Sequence, residues 1–295
     1  MNKSQELIRK FYESFGWNKV EGGVYGATAI FYDYRKVMLE YRYRARRRDG
    51  KVFQSGGRYF LDAGCGARPA QDYSKYHQYH VCIDLTFAGL RESREKIGEN
   101  GLYVLGDTAR LPFRDGVFDG VLCSHTLYLM SRDEQHKAVN ELCRVLKSHS
   151  CCVIVYLTQG FQRKLLSARA GIVTLMKTFL PGIVINVLKR IGGFHDNKEA
   201  LLPIQIHVFP PEWFKQKLDP SAFVVDVRCH RVMEKPFSNL LIPNNKIGSI
   251  LLAVLSALEE RFPHGLVRWS RFITVTIEKG RGDLMNISAV QLHPF

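Results

Sequence analysis

Between residues 59 and 158, short apolar runs alternate with polar stretches long enough to form a helix, and this rhythm limits the possible folds more than any other feature. RYFLDAGCG, YHVCIDL, LYVLGD, VFDGVLCSH and CCVIVYL each predict a strand, being four to seven residues rich in Val, Ile, Tyr and Cys. FAGLRESREKIGEN and RDEQHKAVNELCRVLKS, which lie between them, carry apolar residues at helical spacing. Strands alternating with helices predict an α/β fold, a parallel sheet with helices on both faces. Ligands of such sheets bind beyond the carboxyl ends of the strands, where the strand order reverses.

The stretch FLDAGCGARPA, residues 60–70, lies at such an end. A dinucleotide fingerprint needs G-x-G-x-x-G with a pyrophosphate on the following helix N-terminus. Gly64 and Gly66 supply two of its positions, but Pro69 takes the third, with no N–H and with a ring where close packing wants no side chain. A phosphate cradle is therefore disfavoured, while a tight turn that lets a ligand approach the backbone is retained. Acids close successive strands: Asp62 before the turn, Asp84 after the second strand and Asp107 after the third. Asp84 suits the two hydroxyls of an unmodified ribose. Asp107 and the amides after it suit an adenine edge, and Asp62 suits a cationic amine. Adenosine at one end, positive charge at the other and no phosphate describe S-adenosylmethionine.

LDAGCG, CIDLTFAGL, GDTARLPFRDGVFDGVLCSHTLYLM and ELCRVLK together resemble the class I S-adenosylmethionine-dependent methyltransferases, of the branch that includes the ubiquinone/menaquinone-type enzymes. The resemblance spans residues 58–158. It implies a Rossmann-like, parallel-dominated sheet of seven strands, with S-adenosylmethionine as cofactor and S-adenosylhomocysteine as product. By that resemblance Asp62, Gly64 and Gly66 border the methionine moiety, Asp84 with Leu85 the ribose, and Asp107, Thr108 and Ala109 the adenine. Ser124 and His125 lie beside the cofactor, and Tyr32, in FYDYRKV, lies over it. The chain departs from the pattern in two places. Ala67 and Arg68 follow the second glycine, which puts Arg68 near the cofactor's carboxylate end. Ser148, His149 and Ser150 follow R-V-L-K, where a turn remote from the cofactor is expected.

The length of 295 residues predicts one domain with large additions. Residues 1–57 form an N-terminal helical cover, with Ser4 as a cap, and residues 58–160 the cofactor-binding core. Residues 161–205 form a helical lid, and residues 206–295 complete the sheet around an inserted apolar helix. FVVDVRCH is read as a sixth strand and WSRFITVTIEKG as a closing strand antiparallel to its neighbour.

Seven cysteines without a C-x-x-C pair, most of them in apolar runs, predict a reducing compartment. The scattered histidines predict no metal. The first residues hold no apolar run of the signal-peptide type, and the longest uncharged apolar runs fall short of the about 20 residues a bilayer takes. The expected location is cytoplasmic.

The net charge of +14 lies in the flanks and is densest in YRYRARRRDGK, residues 41–51. A basic run of this kind attracts nucleic acid, anionic lipid or an acidic small molecule, and the lid's cationic apolar face would also suit a membrane surface.

Methyl transfer from a sulfonium is an in-line displacement that needs positioning and exclusion of water. His125 is the first candidate for a general base, because its strand end should point at the methyl group. Tyr128, His207 and Tyr12 follow it. No N-P-P-Y or D-P-P-Y motif occurs. Together with the apolar lid this favours an O- or C-methylated small molecule, hydrophobic or glycan- or lipid-linked. The alternatives are a tRNA methyltransferase using the basic flanks and a non-catalytic partner protein on the same fold. The oligomeric state is left open.

Overall fold

The computed structural model describes residues 3–20, 24–27, 33–158, 205–235 and 237–280. The expected lid lies outside these residues except for Gln205. Seven strands form one sheet in the order β3-β2-β1-β4-β5-β7-β6. They are β1 (Gly57–Ala63), β2 (His77–Asp84), β3 (Gly101–Leu105), β4 (Phe118–Ser124), β5 (Leu146–Leu157), β6 (Phe223–Arg231) and β7 (Phe272–Lys279). β1 to β5 pair in parallel, whereas β7 runs antiparallel to both β5 and β6. The expected seven-stranded, parallel-dominated sheet with an antiparallel closing strand is the observed one.

Register explains where a site can form. Asp62 pairs with Cys82 and Leu122, Asp84 with Leu105, and Ser124 with Val155, so the carboxyl ends of the parallel strands share one edge. Because β7 is reversed, its first residue arrives at that edge: Phe272 pairs with Leu157 of β5 and with Arg231, the last residue of β6. Residues separated by more than two hundred positions in sequence thus meet at one rim.

Alternation along the strands supplies the two buried faces. Leu61, Val81, Val121, Cys152, Ile154 and Val275 pack on one side together with α4 (Arg132–Val145) and α5 (Glu212–Lys217). Phe60, Leu122 and Val153 pack on the other with Phe53 and Tyr73. The connection after β2 is α3 (Phe87–Ile97). α4 begins at a capping box, in which Ser131 accepts from the Glu134 amide while Glu134 reaches back to the Ser131 amide. The seven cysteines are all free thiols, and six of them are buried.

In the N-terminal cover, α1 (Lys3–Phe11) starts one residue before the expected cap at Ser4 and runs into a wider turn over Tyr12–Gly16. α2 (Lys36–Asp49) carries the basic run and packs Val37, Met38 and Tyr41 against Ile242 and against Leu252 of α6 (Lys246–Arg261). The run does not form a uniform basic face, since Arg44 and Arg47 are exposed while Arg42 is buried and Arg46 and Arg48 are half-buried. Ser148–Ser150 is not a free turn either. It lies within β5, where the register against β4 shifts and His149 takes a φ of +60°.

Candidate active site

The turn after β1 is left-handed at both glycines, with φ +74° at Gly64 and +53° at Gly66. Close packing adds a second demand for glycine at these positions. A Cβ on Gly64 would lie 2.4 Å from the Thr126 side chain, and one on Gly66 would lie 2.1 Å from the Trp17 ring. The amides of the turn bond inward. Gly64 and Cys65 donate to the Ile83 carbonyl at 2.8 and 3.3 Å, Gly66 to Asp84 Oδ2 at 2.8 Å, and Ala70 to Asp62 Oδ2 at 2.8 Å. Pro69 has no amide to offer. With the Gly64, Cys65, Gly66 and Ala70 amides spent this way and none on Pro69, the turn shapes a wall rather than an anion nest.

That wall belongs to a cavity of about 410 Å³ at the carboxyl edge of the sheet. Asp62, Gly64, Asp84, Leu85, Thr108, Ser124, His125 and Tyr128 all line it. Asp84 accepts from the Thr86 amide (2.9 Å) and hydroxyl (2.5 Å) as well as from Gly66. Burial pushes its carboxyl above the usual carboxylate range and outweighs the lowering by the bonds from Thr86 and Gly66. A carboxylate has about four acceptor sites, so those three bonds leave room for a ligand hydroxyl. The adenine end differs from expectation. Asp107 bends back to accept from the Ala109 amide at 2.8 Å, and its other oxygen accepts from Gln5 of α1 at 2.7 Å. Thr108 reaches the cavity wall, whereas Asp107 and the buried Ala109 are not part of it. Tyr32 falls outside the described residues.

His125 continues the pairing of β4 with β5 through its amide, which donates to Val155 O at 3.0 Å, and then turns sharply at a φ of +60°. A left-handed non-glycine residue at the end of a central strand aims its side chain out of the ladder. The ring meets Phe272 edge-on at 4.6 Å. Burial comes first, and then the charges of Arg231, His230, Arg42 and Arg46, in pushing its pKa well below the ordinary histidine value, so the ring is neutral. Tyr128 shares this wall. His207 does not: its amide donates to Tyr128 O at 2.9 Å and its carbonyl accepts from Gln135 at 2.9 Å, and Ile206 lines the cavity beside it. Tyr12 lines the cavity and stacks on Trp17 at 4.9 Å, so the N-terminal cover roofs the glycine turn with aromatic rings.

The sequence does not announce the cationic part of the cavity wall. Arg42, Arg46, Arg231, Arg271, His230 and Glu234 line it. Arg42 and Arg231 both bond Glu234, at 2.9 and 2.5 Å, and all three are buried. His230 Nδ1 meets Asp49 at 2.5 Å and its Nε2 accepts from Arg231 at 3.0 Å. With Arg231 supplying the proton at Nε2, Nδ1 must donate to Asp49. The local signal was the pair His230-Arg231 at the end of a strand, followed by a lone acid in an apolar context, and nothing in the sequence says that these face Arg42.

Below the turn, Asp62, His80 and Cys82 bring potential ligand atoms within 4.8 Å of one another, a constellation that the scattered histidines did not suggest. These groups also bond each other. His80 bridges Asp62 Oδ2 (3.2 Å) and Ser74 Oγ (2.8 Å). Burial opposes a charge on His80, but bonds to Asp62 and Cys82 and the attraction of both outweigh it and raise its pKa to about 9. The bridge ties β1 and β2 to the turn.

A family profile for a methyltransferase domain matches residues 61–154. No curated protein matches the sequence. Among solved structures, the chain is similar to DhpI in a SAM-HEP complex, with a TM-score of 0.54 and 11% identity over 94% of this chain and 99% of that one. The SAH complex of DhpI gives a TM-score of 0.53 at 11% identity, over 94% and 98%. A chain of a complex containing the Haloferax volcanii Trm112 methyltransferase activator gives 0.51 at 12% identity, over 83% and 93%. The protein thus carries a methyltransferase domain at residues 61–154 within the class I S-adenosylmethionine-dependent methyltransferase fold.

Proposed function

We propose that this methyltransferase uses S-adenosylmethionine to methylate an oxygen or carbon atom of a small acceptor, hydrophobic or glycan- or lipid-linked. The observation that carries the reading is one cavity lined by Gly64 and Cys65 of the turn, by Asp84, by His125 and by the arginines, with Gly66 itself outside the lining. The cofactor end fits the ligand chemically: Asp84 lines it with acceptor capacity left, Arg68 lines it where the methionine carboxylate would lie, Asp62 is paired with His80, and the bonded amides of Gly64, Cys65 and Gly66 disfavour a phosphate. When bound, S-adenosylmethionine supplies an electrophilic methyl group on a positively charged sulfur.

The chain's own residues do the remaining work. Trp17 and Tyr12 close the turn from above and keep water from it. Asp84 orients the ribose, and Ser124 and His125 form the wall at the strand end. The neutral His125 ring can take a proton, but the positive groups that hold it neutral also make it a weak base. The same charges lower the cost of ionising an acceptor hydroxyl, so little base strength is needed. In the RNA reading the basic run would face outward, whereas Arg42 and Arg48 of that run are bonded to Glu234 and Glu259 inside the protein. Non-catalytic scaffolding gives no reason for a lined cavity of this size.

The experiment incubates the purified protein with methyl-labelled S-adenosylmethionine and a cell extract, then separates small molecules, RNA and protein. Label in the small-molecule fraction is the expected result. Label confined to RNA would replace this reading with the tRNA one.

A further inference from the structure

We propose that the methyl acceptor carries an oxyanion, a carboxylate or a phosphate-type group, which docks on Arg231 and Arg271 with Arg46 beside them. This inference rests on the methyltransferase reading for the word acceptor, but the anion site itself stands on geometry alone. Five guanidiniums line the cavity, Arg68 from the glycine turn and Arg42, Arg46, Arg231 and Arg271 from α2 and the rim of β6 and β7, and Glu234 is the carboxylate among the described residues that lines it beside Arg42 and Arg231. The topology brings them there, since Arg231 ends β6 and Arg271 precedes the first residue of the reversed β7.

The two guanidiniums are held in place. Both lie on the Phe272 ring, with Arg231 at 5.4 Å and Arg271 at 6.0 Å from its centroid. Arg231 is further fixed by Glu234 and His230, and Arg271 donates to the Lys235 carbonyl at 2.9 Å. Guanidiniums fixed in this way lose little freedom when they grip an oxyanion, and their fork matches its two oxygens. The same Phe272 ring packs roughly perpendicular to His125, with centroids 4.6 Å apart, which places the arginine pair next to the strand end where transfer is expected. Arg46, half-buried and paired with Asp72 at 3.3 Å, completes the wall. Positive charge gathered in a partly apolar cavity raises the local concentration of an anion and repels a cation. Aromatic and aliphatic neighbours, Tyr128, Leu129 and Ile206, accommodate the rest of such a molecule.

The test is calorimetric titration of phenylphosphonate, benzoate and uncharged benzamide into the full chain at low ionic strength, with and without S-adenosylhomocysteine. It uses the wild type, Arg271→Gln and Arg46→Gln. Both anions should bind and benzamide should not. Each substitution should weaken the anions, with Arg271→Gln weakening them at least about tenfold. The tighter of the two anions identifies the acceptor group as phosphate-type or carboxylate. Three results would overturn the proposal: no anion binding to folded wild type, benzamide binding as tightly as benzoate, or anion affinity unchanged in both variants. S-adenosylhomocysteine is read separately. If it fails to bind while the anions bind, the cofactor reading falls and the anion site stands.

Discussion

Gly66 shows how single positions decide the site. Its left-handed backbone and the Trp17 ring over its α-carbon leave no space for a side chain. Gly66→Ala should cost at least about 1 kcal/mol in stability, measured by urea unfolding, and should weaken cofactor binding by displacing Trp17. His80 makes a different residue-level claim. Its folded pKa of about 9 lies above the unfolded value of 6.5, so the folded protein holds this proton more tightly. The stability this confers is complete below pH 6.5 and is lost as the pH rises to about 9, an effect of ~3 kcal/mol at most. Unfolding free energies measured from pH 6.5 to 9 should fall in the wild type and fall less in His80→Gln. His125 and His230, held neutral by burial and by neighbouring cations, act in the opposite direction and reduce stability as the pH drops below 6.5. Equal slopes for the wild type and His80→Gln would show that the Asp62–His80 bridge carries no such charge.

Among the elements, those nearest the glycine turn were legible because their signals are local. Strand, turn, acid and helix follow within a few tens of residues, so β1 to β5 and the acids that end β1 and β2 could be read directly. The arginine end was not legible, because α2, the end of β6 and the start of β7 supply it from three distant places. Treating the run at residues 41–51 as one basic cluster overlooks that helical periodicity turns Arg42 inward. Asp107 was read as a ligand because it ends its strand, and no sequence pattern announces that Gln5 of α1 covers it. The α2–β6 contact makes a stability prediction. Glu234→Ala leaves Arg42 and Arg231 buried without their shared carboxylate and should cost ~3–5 kcal/mol. Denaturant unfolding checks this, and a loss below about 1 kcal/mol would mean that the pairing is solvated.

Over the whole molecule, one sheet edge collects both halves of the proposed chemistry. The parallel strands bring carboxylates and a satisfied glycine turn, which suit a cationic nucleoside. The reversed last strand brings arginines, which suit an anion. In the proposed complex the nucleoside would lie at Asp84 and the acceptor's anion at Arg231 and Arg271, with His125 lining the same cavity. The net charge of +14 is thus partly an internal feature, because several of its arginines line the cavity or are buried beside it. If Asp84 binds the ribose of S-adenosylmethionine, calorimetry of S-adenosylmethionine, S-adenosylhomocysteine and NAD against wild type and Asp84→Ala will show it. Micromolar binding of the first two, weakened at least about tenfold in Asp84→Ala and with no response to NAD, is the predicted result. A folded wild-type protein that binds neither S-adenosyl compound would contradict the account.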